Sequence, residues 1–93
     1  MAKKNKKTAP RVDWEALARS ELHPMKVRII ELYAAGGELT PVDLQRELDE
    51  PKLGNVSYHV RALVNAGLIE LVRTEPRRGA LAHFYRASSK LLA

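Results

Sequence analysis

Polar side chains that can hydrogen-bond to bases or phosphates recur along one side of residues 52–66: Asn55, Ser57, Tyr58 and Arg61. An asparagine amide can bond adenine at two atoms, an arginine guanidinium can bond guanine or phosphate, and hydroxyl groups can bond either. The apolar residues of this segment repeat at intervals of three and four, which predicts an amphipathic helix ended by Gly67. They are Leu53, Val56, Val60 and Leu63. A polar face of this kind also occurs on any solvated helix.

A shorter helix is predicted directly before this one, over Pro41–Leu48. Thr40 is its N-cap, Pro41 suits its first turn, and Asp43 completes a capping box. Its inward residues are expected to be Val42, Leu44 and Leu48. Asp49, Glu50 and Pro51 break the pattern, so that a tight turn joins the two helices. Such a pair has the shape of a helix-turn-helix, whose second helix enters the major groove of DNA.

Beyond Gly67 the apolar period changes from helical to alternating. Residues 68–74 and 80–86 are predicted strands, and residues 75–79 the turn between them. Arg73 lies in the first strand, while Arg77 and Arg78 lie at the tip of the resulting hairpin. If this hairpin lies beside the second helix on DNA, its arginines would contact the phosphate backbone or the minor groove, where narrow A·T-rich stretches attract arginine. The alternative is an ordinary charged turn.

Upstream, residues 24–35 are dense in apolar side chains and predict a central, largely buried helix that stops at Gly36 and Gly37. Glu38-Leu39 leaves room for only a very short strand. The predicted core residues of the helix are Met25, Val27, Ile29, Ile30, Leu32 and Tyr33. Residues 87–93 form either a short helical turn or a frayed end.

A further helix, capped by Asp13, is predicted before His23-Pro24 and carries Trp14, Leu17 and Leu22 on one side. These side chains either close the core of the monomer or form the surface of a homodimer. A dimer would place two recognition helices about 34 Å apart, so that its DNA site would be a near-palindrome.

The charge of the chain is unevenly placed. The chain of 93 residues has the length of one domain and a formal net charge of +5. Residues 1–11 form a basic tail with five Lys and Arg and no acid, either an electrostatic arm or a solubilising tail. The domain over residues 12–93 is neutral, with net −4 over residues 12–49 and net +4 over residues 50–93. The placement of charge therefore points to a polyanion more clearly than its total.

The sequence contains no motif typical of a metal site or of an enzyme active site. The chain has no cysteine, and His23, His59 and His83 share no ligand-like spacing with an acidic neighbour. His59 is expected to be a half-buried residue packed near the hairpin. No Gly-rich phosphate loop or nucleophile motif occurs. We therefore expect no enzyme activity, no cofactor and no metal.

No apolar run approaches the roughly 18 residues that span a bilayer, and the basic start is not followed by an apolar stretch. We expect a cytoplasmic, nucleoid-associated protein without a membrane partner.

Residues 53–72, L-G-N-V-S-Y-H-V-R-A-L-V-N-A-G-L-I-E-L-V, resemble the recognition helix and the beginning of the wing in the ArsR-like winged helix-turn-helix regulators. Residues 23–32, H-P-M-K-V-R-I-I-E-L, resemble the first core helix of that family, and residues 39–44, L-T-P-V-D-L, its positioning helix. The resemblance implies sequence-specific binding of double-stranded DNA, usually by a dimer and most often in repression. It places Ser57, Tyr58 and Arg61 toward the groove and Asn55 near the N-terminal end of the helix.

The sequence thus predicts an α+β, mostly helical, winged helix-turn-helix that regulates transcription by binding double-stranded DNA. Repression is what the resemblance implies, and activation is the alternative. Helix 52–66 would enter the major groove, and the hairpin of residues 73–86 would contact the backbone or the minor groove. The predicted contacts are Lys52, Asn55, Ser57, Tyr58, Arg61, Arg73, Arg77 and Arg78. The alternative is a winged helix that binds a protein, through its first helix and its acidic half, and does not bind DNA.

Overall fold

The computed structural model describes residues 23–92 as three helices followed by an antiparallel hairpin. The elements are α1 (Pro24–Ala34), α2 (Pro41–Leu48), α3 (Leu53–Asn65), β1 (Ile69–Arg77) and β2 (Ala80–Ala87). The predicted order of elements is confirmed within this range. The basic segment of residues 1–11 and the predicted helix with Trp14, Leu17 and Leu22 lie outside the described residues.

The start of α2 is held by the predicted capping box. The Thr40 hydroxyl accepts from the backbone N–H of Asp43 at 3.0 Å, and the Asp43 carboxylate accepts from the backbone N–H of Thr40 at 2.9 Å. Burial acts to raise the pKa of Asp43, but these bonds and Arg46 outweigh it and lower that pKa. α2 ends at Asp49, whose φ of 53° is in the left-handed region and turns the chain toward α3.

The core lies where the three helices meet the base of the hairpin. Its most deeply buried side chains are Ile29, Ile30, Tyr33, Leu44, Val56, Leu63, Ile69 and Leu91. The hydroxyl of Tyr33 donates to the carbonyl oxygen of Leu39 at 3.0 Å, and burial raises the pKa of this phenol. Leu39 in turn pairs with Tyr85 of β2 as an isolated bridge, which confirms the very short predicted strand.

Two residues predicted to face the core are exposed instead. The side chain of Val42 is 46% exposed and that of Leu53 is 39% exposed. Each lies in the first turn of its helix. Helical periodicity predicts the direction of a side chain around the axis, but not how far along the axis the core extends.

The hairpin is longer than predicted, because residues 75–77 belong to β1 and only Arg78 and Gly79 form the turn. Within the described residues both strands of this two-stranded sheet are edge strands, where proline is tolerated because its nitrogen can face away from the partner strand. The register shifts between Leu71 and Arg73, which is a β-bulge. The bulge changes which β1 side chains share a face of the hairpin with those of β2.

The end of the described chain is a turn packed on the C-terminus of α3, the first of the two predicted alternatives. Leu91 is only 1% exposed. The Lys90 ammonium donates to the Ala66 carbonyl oxygen at 3.0 Å, and the Ser88 hydroxyl donates to that of Gly67 at 2.6 Å. These bonds satisfy carbonyl groups that the end of a helix leaves unpaired.

Three helices with a tight turn between α2 and α3, followed by a two-stranded hairpin, form a winged helix-turn-helix. No helix within residues 23–92 is both long and apolar enough to cross a membrane.

Candidate nucleic-acid interface

The outward side of α3 presents side chains that the sequence predicted to contact DNA. Asn55 and Arg61 are exposed, Tyr58 is 66% exposed, and Ser57 is half-buried. Lys52 is the exposed N-cap residue, and its side chain makes no capping hydrogen bond. The opposite side of the same helix packs into the core, so these polar groups point away from the protein.

A groove of about 280 Å³ separates α3 from the hairpin. Ser57 and Arg61 line it from α3, and His83 and Tyr85 line it from β2. The rings of His83 and Tyr85 lie nearly parallel, with 6.4 Å between their centroids. The structure therefore brings Ser57 and Arg61 together beside the hairpin with His83, which the sequence predicts to be a strand residue or a minor phosphate contact. It adds the ring of Tyr85, which the sequence did not assign to the site.

Tyr58 lies at the other side of α3, beside the start of α1. It lines a shallow cleft with His23, Lys26 and His59, and its ring meets that of His59 edge-on at a centroid distance of 5.2 Å. The predicted contacts on α3 thus extend from the wing on one side to α1 on the other.

Glu50 makes a contact at the start of α3 that was not predicted from the sequence. Its Oε2 atom accepts from the backbone N–H of Lys52 at 3.2 Å and from the side-chain Nδ2 of Asn55 at 2.9 Å. The acidic residues near this helix start are expected from the helix dipole. The bond to the side chain of Asn55 depends on the turn between α2 and α3.

The arginines of the hairpin differ in what they contact. Arg73 forms ion pairs with Glu38 and, at 3.0 Å, with Glu75. Arg77 lies 3.8 Å from the Glu75 carboxylate. Both guanidinium groups also lie over the ring of Phe84, a buried residue that the sequence reading did not place in the site.

Two of the predicted arginine contacts form no ion pair with any side chain of residues 23–92: Arg61 on α3 and Arg78 at the hairpin tip. The remaining arginine of the hairpin, Arg86, pairs with Glu70 across the strands at 2.9 Å. Among the arginines of this half of the chain, positive charge is therefore least neutralised on the outward side of α3 and at the tip of the hairpin.

His59 does not pack near the hairpin as expected; it is 9% exposed and packs against the start of α1. Its ring lies 4.9 Å from that of His23, measured between centroids. Burial lowers the pKa of His59, and the nearby His23 and Lys26 lower it further. The reason for the difference is that α3 packs on α1 at this level, so His59 points toward that helix. In the described part of the chain no three metal-ligating side chains come together.

This arrangement of helices was compared with known protein families. Residues 22–72 match the model of a helix-turn-helix domain, a range that includes α1, α2, α3 and the first half of β1 and exceeds half of the chain. No curated protein matches the sequence significantly. The matched domain includes the exposed side of α3, and it supports a DNA-binding regulator. The chain belongs to the helix-turn-helix domain family.

Proposed function

We propose that this protein is a sequence-specific regulator of transcription that binds double-stranded DNA, a repressor of the ArsR-like type that acts on the chromosome in the cytoplasm. α3 enters the major groove, and the hairpin of β1 and β2 contacts the phosphate backbone or the minor groove. Repression follows because the bound protein blocks access of the polymerase to the same DNA.

The observation that carries this proposal is the position of Arg61 and Arg78. Within residues 23–92 neither guanidinium has an acidic partner, and both are exposed. They lie on the second helix of the helix-turn-helix and at the tip of the wing, the two elements that this fold presents to DNA. Unneutralised cations at these two places favour a polyanion such as DNA as the partner.

The predicted contacts divide into two roles. Asn55 and Arg61 are suited to base edges, because each side chain can form two parallel hydrogen bonds, while Ser57 and Tyr58 supply hydroxyl groups. Lys52, Arg73, Arg77 and Arg78 are suited to phosphate, which positions a protein on DNA without reading its sequence.

Selection of preferred sites from random duplexes, followed by gel shifts at two salt concentrations, tests the proposal. We expect a defined motif and an affinity that decreases steeply as salt increases. Arg61→Ala should change the selected motif at one position, by about 1–3 kcal/mol if the contact is to a base. Absence of binding to any duplex at low salt would refute the proposal.

We also propose that the protein binds DNA as a homodimer through Trp14, Leu17 and Leu22, which lie outside the described residues. Two recognition helices about 34 Å apart would then select a near-palindromic motif. Sedimentation should show a dimer at micromolar concentration with or without DNA. A monomer under both conditions, together with a motif that lacks two-fold symmetry, would remove the dimer and leave DNA binding intact.

A winged helix that binds a protein is the second candidate. It is favoured by the exposed apolar side chains of Leu71 and Leu81 on the hairpin, which are 51% and 59% exposed, and by the net −4 of residues 12–49, which suits a basic partner. The low-salt gel shift separates the two candidates, since this one predicts no binding to duplex DNA.

A further inference from the structure

We propose that Glu50 is a positioning residue that fixes the base preference of Asn55. This inference rests on the proposed function, because it concerns how the start of α3 reads a base. It assigns a role in DNA recognition to an acidic residue of the turn between α2 and α3, although its charge repels DNA.

The carboxylate of Glu50 is anchored by the backbone. It is half-buried, and its Oε2 atom accepts from the backbone N–H of Lys52, the N-cap residue of α3, at 3.2 Å. The N-terminus of a helix favours a negative charge, and Lys52 provides no side-chain cap of its own. The left-handed backbone of Asp49, with φ of 53°, directs the chain so that Glu50 reaches this place.

The same oxygen of Glu50 accepts from Nδ2 of Asn55 at 2.9 Å. A carboxylate can only accept hydrogen bonds, so the NH₂ group of Asn55 must face Glu50 and its carbonyl oxygen must face away. A free asparagine side chain would present either group. Glu50 thereby fixes the orientation in which the exposed Asn55 amide is offered to a partner.

The orientation has a consequence for base recognition. The Oδ1 atom of Asn55 accepts no hydrogen bond from residues 23–92, so it needs a donor, and the second N–H of the amide needs an acceptor. In the major groove adenine presents both, through its N6 amino group and N7, whereas guanine presents the acceptors O6 and N7 only. Asn55 therefore prefers adenine over guanine, and the nearby charge of Glu50 acts in the same direction.

The test compares motifs selected from random duplexes by the wild-type protein, Glu50→Ala, Asn55→Ala and the double variant. Asn55→Ala should lose the preference for adenine at one position by at least about fivefold. Glu50→Ala should lose preference at that same position. If Glu50 acts through Asn55, adding Glu50→Ala to Asn55→Ala should change the motif no further.

Glu47→Ala is the matched control, because Glu47 is an exposed carboxylate of α2 that forms no ion pair within residues 23–92. Both alanine variants remove one negative charge and should raise affinity for all duplexes similarly. Only Glu50→Ala should change the motif. In the free protein, the NMR signals of the Asn55 side-chain amide should shift in Glu50→Ala and stay in place in Glu47→Ala.

A motif that is the same in Glu50→Ala and in the wild type would overturn this inference while leaving the proposed function standing. Absence of any motif for the wild-type protein would overturn the proposed function and the inference with it. If Glu50→Ala does not fold, Glu50→Gln keeps the size of the side chain but lets its amide face Asn55 with either group. The preference at the same position should then decrease, and an unchanged motif counts against the proposal.

Discussion

The guanidinium of Arg73 lies over the ring of Phe84, with 4.0 Å between its Cζ atom and the ring centroid. Arg77 covers the same ring from 5.3 Å. Phe84 is only 6% exposed, although it does not belong to the cluster of core residues. Arg73 also pairs with Glu38, in the loop between α1 and α2, and so connects the hairpin to the helices.

Replacing Arg73 by Ala should lower the free energy of unfolding by about 1–2 kcal/mol, because it removes a cation–π contact and exposed ion pairs. Urea denaturation followed by circular dichroism measures this change. Arg86→Ala is the control, since its exposed ion pair with Glu70 is worth about 0.5 kcal/mol or less. Equal losses in the two variants would show that the contact with Phe84 contributes nothing.

The tip of the wing combines strain with charge. Arg78 has φ of 49° and Gly79 has φ of 80°, as in the two-residue turns that favour Asn-Gly. Arg78→Asn should therefore raise the free energy of unfolding by about 0.5–1 kcal/mol. The same change should weaken binding to all duplexes similarly and reduce the slope of log affinity against log salt by about one.

Arg78→Lys keeps the charge and the unfavourable backbone, so its salt slope should equal that of the wild type. The double variant Arg77→Ala with Arg78→Ala should flatten the slope further. A slope that both the Asn and the double-Ala variants leave unchanged would mean that the wing points away from DNA.

Gly54 lies in the first turn of α3 without a structural need for glycine. Apart from its chain neighbours and the backbone of its own helix, a Cβ atom at this position would meet no atom of residues 23–92 within 4 Å, and Gly54 does not belong to the glycines with positive φ. Gly54→Ala should stabilise the protein by up to about 1 kcal/mol, measured by thermal unfolding. It should also weaken binding to the selected motif about tenfold, because a methyl group then lies between α3 and the groove. Stabilisation with unchanged affinity would contradict close approach of DNA at this turn.

The burial of His59 predicts a pH dependence of stability. Its pKa is lowered in the folded protein, while in the unfolded chain it is about 6.5. Below pH 6.5 the unfolded chain therefore binds the proton more readily, and the free energy of unfolding should decrease as pH falls toward the folded pKa. Well above pH 6.5, where His59 is neutral in both states, its contribution to the free energy of unfolding is fully present. Denaturation between pH 5 and 8 measures the profile, and His59→Gln should remove this part of the slope. An identical slope in the variant would assign it to other groups.

The local features of the fold were predictable from the sequence. The capping box of Thr40 and Asp43, the helix end at Gly67 and the hairpin tip at Arg78 all depend on residues within a few positions of one another. Backbone preferences and hydrogen bonds at such short range are properties of the residue types themselves. The polar side of α3 was likewise visible, because helical periodicity orients its side chains around one axis.

Contacts between elements required the tertiary structure. Arg73 pairs with Glu38, which is 35 residues away in the sequence. The ring contact of His59 with His23 depends on how α3 packs against α1. Even Glu50 and Asn55, only five residues apart, meet because the left-handed Asp49 redirects the chain between two helices.

The sequence by itself thus determined which side chains α3 and the wing offer to a partner. Packing decided how far the charge of each is neutralised, because Arg73 and Arg77 form ion pairs and ring contacts, whereas Arg61 and Arg78 have no acidic partner among residues 23–92. Charge composition cannot make that distinction, since neutralisation depends on distances that exist only after the helices and the hairpin have packed.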